Sequence, residues 1–225
     1  MRPSSESSIA VKTAKPARAP KTKGEQTRMA ILDCALEIAG REGLEGLTIG
    51  ALAERMRMSK SGVISHFGSR ESLQIAVLRE YQRRFIEQIF LPSLQRPRGL
   101  PRLEAMIQGW QGQVSDRLKE GCLFVSGAVE YDDRPGSVRD VLVEVVRAWQ
   151  QELLRAARQA VEEGHLRADT DPDQLVFELY GVILASHHER RLMGSDHSDE
   201  RVGKSFKRLI DSYRANQQPG MTKAA

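Results

Sequence analysis

Small and polar side chains are concentrated between residues 47 and 73, where they could bind a polyanion without covalent chemistry. Thr48 and Ser59 each precede a short segment of apolar residues at helical spacing, so each is predicted to cap a helix. The free N–H groups at such a helix start attract phosphate oxygens, and Lys60 and Arg70 add positive charge beside them. Short side chains also let a helix approach base edges in a major groove roughly 12 Å wide. The residues that we predict to contact DNA are Thr48, Ser59, Lys60, Ser61, Gly62, Ser65, His66 and Arg70.

A second group of reactive side chains lies near the C-terminus and comprises His187, His188, Glu189, Asp196 and His197. Histidines and carboxylates bind zinc, but this spacing matches no known ligand pattern. Adjacent histidines on a helix diverge by roughly 100°, so we favour His187 and His188 as residues of a helix–helix interface. Cys34 and Cys122 match no metal or redox spacing. We expect no enzyme activity, no metal and no other cofactor; the rival hypothesis is a helical metalloenzyme that uses residues 187–197, which metal analysis would decide.

Helices are the elements that must position these side chains, because apolar residues recur at helical spacing through most of the chain. Ordered structure is predicted to begin near Thr27, and Gly43 is predicted to end the first helix. Two short helices capped by Thr48 and Ser59 follow, with a break of about three or four residues between them, which is the pattern of a helix-turn-helix. We find no convincing strand and no internal repeat, so the predicted fold class is all-α.

Longer helices are predicted beyond this motif. One is capped by Ser69 and ended by Pro92. Residues 95–101 contain two prolines and a glycine, so they are predicted to connect the N-terminal helices to a second helical unit. In that unit Asp171 and Pro172 begin a helix, because Asp is a good cap and Pro is tolerated at the first helical position.

The composition is ordinary for a globular protein, since the 225 residues are 40% hydrophobic and 28% charged. No window approaches the roughly 18 apolar residues of a membrane span, and the N-terminus lacks the apolar core of a signal peptide. We therefore expect a cytoplasmic protein that binds no membrane. Residues 1–98 contain 17 Lys and Arg against 10 Asp and Glu, whereas residues 99–225 contain 17 against 20. That asymmetry is typical of a DNA-binding unit fused to a different unit, although a solvated basic tail would produce it too.

Residues 25–85 resemble the DNA-binding domain of the TetR family of bacterial transcriptional regulators. The family pattern has Thr at the start of helix 2, Ala in its middle, Ser at the start of helix 3, an aromatic residue near its end, and Ser-Lys-Glu and Leu at the opening of helix 4. This sequence supplies, in that order, Thr48, Ala53, Ser59, His66, Phe67, Ser69, Arg70, Glu71 and Leu73. The resemblance implies an N-terminal three-helix DNA-binding domain followed by a larger helical domain for ligand binding and dimerisation.

Three residues depart from the family pattern. Arg57 stands in the turn where the family usually has Gly, and a left-handed backbone there would cost a non-glycine residue about 1 kcal/mol or more. Ile64 occupies a position on the recognition helix that is often Tyr, and Ser65 replaces a residue that is frequently basic or aromatic. These departures bear on which DNA sequence is bound more than on whether DNA is bound.

The patterns and the resemblance together divide the chain into four parts. Residues 1–24 are rich in Ser, Lys, Pro and Ala, and they are predicted to form a disordered basic tail that can contact phosphates non-specifically. Residues 25–90 form the DNA-binding domain and residues 91–216 the effector-binding and dimerisation domain. Residues 217–225 form a second disordered tail.

The resemblance also implies an effector pocket in the C-terminal domain. The predicted lining residues are Trp110, Phe124, Ala128, Tyr131, Trp149, Phe177 and Tyr180. For any one of them ordinary core is the better explanation, whereas the resemblance implies that several of them together line a pocket. Glu130, in the apolar segment 122–131, is either a polar anchor for a ligand or a residue at a solvent-facing edge. Because aromatic residues make up only 5% of the chain, a mainly aliphatic pocket is favoured.

The last two predicted helices carry apolar stripes suited to a four-helix contact between two subunits. The predicted interface residues are Leu175, Leu179, Ile183, His187, Phe206 and Leu209. The alternative is that these stripes cover the core of their own subunit. The resemblance implies a homodimeric repressor that binds a double-stranded DNA operator and is released by a small-molecule effector. The alternative within the same fold is a dimeric DNA-binding protein that responds to no ligand.

Overall fold

A computed structural model describes residues 22–116, 122–195 and 197–215, with the backbone alone for residues 113–116. The helices of this part of the chain are α1 Lys23–Gly46, α2 Ile49–Met56, α3 Lys60–Phe67, α4 Arg70–Phe85, α5 Leu91–Ser93, α6 Leu100–Asp116, α7 Leu123–Tyr131, α8 Ser137–Glu162, α9 Pro172–Arg191 and α10 Ser198–Tyr213. A π-helical turn, Ile86–Phe90, joins α4 to α5 without a break. The extended pairing in the described residues is limited to an isolated bridge between Leu166 and Arg214. The predicted all-α fold is confirmed.

The helix-turn-helix forms where the caps predicted it. The Thr48 hydroxyl accepts a hydrogen bond from the backbone amide of Ala51 at 3.1 Å, and the Ser59 hydroxyl accepts one from the amide of Gly62 at 3.0 Å. Ser69 caps α4 in the same way. Each hydroxyl satisfies an N–H group that the first turn of a helix leaves without an intrahelical partner. The inner faces of α2 and α3 are buried at Leu52, Ala53, Val63 and Phe67.

Arg57 ends α2 in a left-handed backbone conformation, with φ 52° and ψ 42°. Within the described residues it is the one position other than glycine with a positive φ. Its amide donates to the carbonyls of Ala53 and Glu54, so the conformation closes the last turn of the helix. An arginine therefore adopts a backbone shape that the usual glycine of this turn adopts without strain.

We expect Arg57→Gly to raise the free energy of unfolding by about 0.5–1 kcal/mol. Relief of about 1–2 kcal/mol of left-handed strain outweighs about 0.5–1 kcal/mol of added chain entropy. Chemical denaturation of the full-length protein measures this difference. Arg57→Ala is the matched control, because it removes the same side chain but keeps the Cβ and the strain. Equal unfolding free energies for the two variants would contradict the proposed strain.

Helix α1 begins earlier than the sequence pattern predicted. The Thr22 hydroxyl accepts the amide of Glu25 at 3.2 Å, and the Glu25 carboxylate accepts the amide of Thr22 at 2.7 Å. This reciprocal pair is a capping box, and its Thr-x-x-Glu spacing is the signal that was missed. The prediction of a disordered tail is wrong for residues 22–24. The rest of that predicted tail, and the predicted tail 217–225, lie outside the described residues.

A buried carboxylate on α4, that of Glu80, orders the side chains that join α4 to α1. Glu80 is 7% exposed and accepts hydrogen bonds from Arg83 at 2.7 Å and Arg84 at 2.8 Å. The bonds from Arg83 and then from Arg84 lower the pKa of Glu80 to about 2. Arg84 also pairs with Asp33 on α1. The ionised carboxylate thus orders two arginines, one of which anchors α1 against α4.

The C-terminal half is a helical bundle around the long helix α8, which packs against α4, α6, α7 and α9. Close approach depends on small residues at two points. A Cβ added to Gly109 on α6 would lie 3.1 Å from Ile89 in the π-helical turn, and one added to Gly127 on α7 would lie 3.1 Å from Leu142. No helix in the described part of the chain combines the length and apolar character that a membrane crossing requires.

Candidate functional site

Helix α3 presents one face to solvent, and its exposed residues are Lys60, Ser61, Ile64 and Ser65. Gly62 and His66 are partly exposed beside this face, whereas Val63 and Phe67 are buried on the opposite side. Apart from Lys60 and Ile64, the exposed side chains are short. A helix of this kind can lie close to base edges in a major groove. The structure therefore brings five of the predicted contacts, at positions 60, 61, 62, 65 and 66, onto one short helix.

Several of these predicted DNA contacts also stabilise α2 and α3 through hydrogen bonds. The Ser59 and Ser61 hydroxyls lie 3.1 Å apart, and the Ser65 hydroxyl donates to the Gly62 carbonyl at 2.7 Å. A Cβ added to Gly62 would lie 3.1 Å from the Ser59 hydroxyl. A hydroxyl has one proton and two lone pairs, so it can bond within the helix and still contact DNA. The same holds for the Thr48 cap.

Arg70 has a structural role that the sequence did not predict. Its Nε donates to the Leu47 carbonyl at 3.0 Å and its Nη2 donates to the Glu45 carbonyl, so the guanidinium closes the end of α1. Gln74, one turn further along α4 and buried, donates to the Leu44 carbonyl at 2.7 Å. The two side chains satisfy carbonyls that the end of a helix leaves free. Because the Arg70 side chain is still 41% exposed, its contact with phosphate stays a prediction beside this structural role.

The junction between the DNA-binding helices and the C-terminal domain is built around the carboxylate of Glu130 on α7. This carboxylate accepts the amides of Leu44 at 3.2 Å and Glu45 at 2.8 Å, in the last turn of α1. Gly43 breaks α1 at the predicted stop with a φ of 80°, and a Cβ added there would lie 2.4 Å from Glu130 Oε1. Glu130 thus joins the two domains, a role that neither sequence interpretation of it included.

Glu45 is the centre of the polar network at this junction. Tyr131 donates its phenol hydrogen to the Glu45 carboxylate, and that hydrogen bond lowers the pKa of Glu45. Arg70 and Arg134 bring guanidinium nitrogens within 3.3 and 3.4 Å of the same carboxylate. The hydroxyl of Tyr131, a predicted pocket residue, is thus held at the domain junction, and its contact with an effector stays a prediction.

Four predicted pocket residues meet in one aromatic cluster. The Trp110 ring lies 5.9 Å from that of Trp149 and 5.8 Å from that of Tyr180. Phe85, which the sequence analysis did not select, lies 4.7 Å from Trp149 and 5.4 Å from Phe124. The indole nitrogens of Trp110 and Trp149 are buried, with no hydrogen-bond partner in the described residues. Buried N–H groups normally have hydrogen-bond partners. A bound group with an acceptor atom could therefore pair with either indole N–H in the interior of this domain.

Two other predicted pocket residues face away from this interior. Ala128 is exposed on α7, and Phe177 is 73% exposed on α9. Leu175 and Leu179 are fully buried on the opposite side of α9, so Phe177 between them must point outward. Ala128 and Phe177 therefore lie outside the aromatic cluster, and their part in an effector pocket stays a prediction.

Most of the predicted dimer residues belong to the core of their own subunit. Those buried within the chain are Leu175, Leu179, Ile183 and Phe206. Leu209 packs against the same core, and His187 lines a small cavity. The interface prediction is therefore wrong for the four buried residues, which cover the subunit's own core, whereas for Leu209 and His187 it stays a prediction.

An exposed apolar surface lies on α8 and α9. A shallow groove of about 480 Å³ is lined mainly by Leu154, Val176, Phe177, Tyr180, Gly181 and Leu184, with Arg147, Gln150 and Gln151 at its polar edge. Phe177 is 73% and Leu184 43% exposed. Residues 177, 181 and 184 recur at helical spacing, so they form one face of α9. That spacing is the sequence signal for this surface, which the analysis of the sequence missed.

The histidine cluster does not form a metal centre in the part of the chain that the structure describes. No three His, Cys, Asp or Glu residues converge there in a way that could hold an ion. Asp196, one member of the predicted cluster, lies outside the described residues. His187 and His188 differ in surroundings, since the first is half-buried and the second is exposed.

Comparison with known proteins identifies both halves of the chain. Residues 31–77 match the family of bacterial regulatory proteins of the tetR type, and residues 99–206 match the tetracyclin repressor-like C-terminal domain. The chain is 24% identical over 168 residues to the transcriptional regulator AcuR of Cereibacter sphaeroides, covering 72% of this chain and 76% of that protein.

Solved structures share the fold. A TetR-family regulator from Cytophaga hutchinsonii superposes with a TM-score of 0.75 at 18% identity, covering 88% of this chain and all of that one. AibR, solved in complex with isovaleryl coenzyme A and operator DNA, superposes with a TM-score of 0.65 at 22% identity, covering 81% of this chain and 95% of that one. The two family matches together span more than half of the sequence and include the helix-turn-helix with its exposed α3 face. The chain therefore belongs to the TetR family of DNA-binding transcriptional regulators.

Proposed function

We propose that the protein is a homodimeric repressor that binds an operator in double-stranded DNA and is released when a small molecule binds its C-terminal domain. The observation that carries this proposal is the polar, exposed face of α3, held by capped helices in a chain of the TetR family. Residues 25–90 form the DNA-binding domain, and residues 91–216 bind the effector and the second subunit.

The proposed DNA contacts are of two kinds. Thr48, Ser59 and Lys60 lie at helix starts, where N–H groups and a positive charge favour phosphate oxygens. The proposed base contacts are Ser61, Gly62, Ile64, Ser65 and His66. Ile64 is 43% exposed, and its apolar side chain matches the methyl group of thymine better than any polar edge.

The proposed dimer forms through the apolar groove of α8 and α9, and its occupant is the same groove of a second copy. Phe177 and Leu184 expose a surface that water solvates poorly, at the centre of a rim formed by Arg147, Gln150 and Gln151. An apolar centre with a polar rim is the usual anatomy of a protein interface. A two-fold axis through this face would pair α8 and α9 with their copies in a four-helix bundle.

The proposed release of DNA runs through the domain junction. AibR was solved with an acyl coenzyme A and with operator DNA, which supports a ligand site and a DNA site in one chain of this fold. Here the interior of the C-terminal domain adjoins α4 through Phe85 and adjoins α1 through Glu130. A ligand that binds one arrangement of these helices more tightly would shift the population of DNA-binding dimers by that difference in affinity.

An electrophoretic mobility shift of the full-length protein with its own upstream DNA tests the function, at two salt concentrations and with unrelated DNA as competitor. We expect the combined change Lys60→Ala and His66→Ala to weaken the specific complex about 10- to 100-fold. It removes a phosphate contact together with a base contact, and the base contact alone is worth roughly 1–3 kcal/mol.

The matched control combines His197→Ala with Lys204→Ala, which removes the same two residue types at exposed positions on or beside α10. This control is expected to bind as tightly as the wild type. Binding that fades with salt, ignores sequence and is equally weakened in both variants would contradict the proposed reading helix.

A further inference from the structure

A small, partly open cavity lies between α6, α9 and α10, beside the start of α7. Its volume is about 20 Å³, which is room for a group the size of one or two water molecules. The lining residues that matter here are Trp110, Cys122, Ile183, Ser186, His187 and Arg190. It is separate from the open groove on α8 and α9, and its exposed lining is mainly apolar, with the polar groups of Ser186, His187 and Arg190 on its wall.

Two nitrogens on this cavity lack a partner in the described residues. They are Nε1 of Trp110, a residue only 2% exposed, and Nδ1 of His187. An indole N–H can only donate, so no rearrangement of protons within the cavity satisfies it. A buried donor without an acceptor costs about 1–3 kcal/mol. Because the two nitrogens share one cavity, a single bound group with acceptor oxygens can satisfy both.

The charged and hydroxyl groups around the cavity indicate the character of that group. Arg190 lines it and pairs with Asp199. The Ser186 and Ser198 hydroxyls lie 3.2 Å apart and hold α9 against α10. Cys122 Sγ accepts a hydrogen bond from Tyr81 at 3.6 Å, so it is occupied on the side of α4. Asp199 lines the cavity too, so its carboxylate balances the charge of Arg190. The Trp110 N–H still requires an acceptor. One arginine can hold two carboxylates, as Arg84 does with Glu80 and Asp33, so Arg190 can pair with a bound carboxylate beside Asp199.

We propose that this cavity binds the carboxylate head of the effector, with one oxygen accepting from Trp110 and the other meeting His187 and Arg190. The proposal rests on the proposed function, since it names the chemical class of the ligand that releases the operator. A carboxylate has two acceptor oxygens in the small volume available, and a guanidinium is its usual partner in proteins. This polar head differs from the mainly aliphatic pocket that the composition favoured.

Helix α9 connects the cavity to the DNA-binding domain. Arg191, the residue after Arg190, donates to the carbonyls of Gly40 at 3.1 Å and Arg41 at 3.4 Å near the end of α1. A ligand that draws Arg190 inward would move the end of α9 and change these contacts. The carboxylate site therefore reaches α1 directly, without passing through α4.

The test uses the two tryptophans as reporters in the full-length protein. Indole ¹⁵N–¹H spectra are recorded while sodium propionate is added, with sodium chloride at equal ionic strength as the salt control. Trp149→Phe assigns the two signals, and Trp110→Phe assigns them if the first variant does not fold. We expect the Trp110 signal to shift in a saturable way with propionate, and His187→Ala to weaken that binding at least tenfold.

Propionamide is the matched probe, because it has nearly the same size but no charge. A Trp110 shift with propionate but not with propionamide supports the carboxylate site. Equal shifts with both probes, or no shift with either, would overturn it, the latter leaving a cavity that holds only water. Because no DNA enters this measurement, its failure leaves the DNA-binding result untouched. An unchanged Trp149 signal in His187→Ala shows that the variant is folded.

Discussion

Replacing both Phe177 and Leu184 with glutamate is expected to convert the protein to a monomer and to weaken operator binding at least 100-fold. Both side chains lie on the exposed apolar face of α9. Four added carboxylates would meet across the proposed two-fold axis, where they would be desolvated next to like charges. A monomer binds one half-site, so it loses the gain in effective concentration that a second linked reading helix gives. Sedimentation velocity measures the dimer, and fluorescence anisotropy with labelled operator measures the affinity.

The chain offers a matched control for this result. Leu192 and Met193, in the turn after α9, are 70% and 68% exposed, so changing both to glutamate adds the same charge to another exposed apolar pair. This control is expected to remain a dimer with unchanged operator affinity. A dimer that survives in the variant at positions 177 and 184 would contradict the proposed interface, whatever the affinity for DNA.

Glu130→Gln is expected to release the end of α1 from α7. The Glu130 carboxylate accepts two backbone amides, and hydrogen bonds to a charged group contribute about 1.5–3 kcal/mol. The amide side chain of glutamine has one acceptor oxygen, so one of these N–H groups loses its partner. We expect the amides of Leu44 and Glu45 to exchange hydrogen about 10- to 100-fold faster, measured by amide exchange of the full-length protein.

Glu144→Gln provides the comparison for that experiment. Glu144 on α8 pairs with Arg79 on α4 at 2.6 Å, so this variant also removes a carboxylate that links the two domains. Both partners are substantially exposed, and such pairs contribute only about 0–1 kcal/mol. Exchange at residues 44 and 45 should stay at the wild-type rate in this variant. An equally slow rate in Glu130→Gln would show that the carboxylate does not hold the junction.

The DNA-binding half could be predicted from the sequence because its signals are local. Thr48, Ser59 and Ser69 cap helices through hydrogen bonds to residues three positions away, and the sequence contains both partners. The left-handed conformation at Arg57 was considered because the TetR family usually has Gly at that position of the turn, and the structure shows it. The capping box at Thr22 is equally local, and it was missed because the basic tail was treated as one segment.

The rest depends on contacts between residues far apart in the chain. Glu130 meets the amides of α1 across an interval of 85 residues, and no spacing in the sequence indicates that pairing. On α9 the residue types favoured both a pocket and a dimer face, but only packing decides which side is buried. Leu175 and Leu179 were therefore assigned to the interface and Phe177 to the interior, whereas the structure buries both leucines and exposes Phe177.

The most direct test of the account is a hydroxyl-radical footprint of the full-length protein on its own upstream DNA. A dimer that presents two α3 helices to one face of the duplex should protect two patches with centres about 10–10.5 base pairs apart, or a multiple of that spacing. The patches should disappear in the variant that lacks Lys60 and His66. One isolated patch, or protection that is uniform along the DNA, would contradict a dimeric repressor that reads its operator through α3.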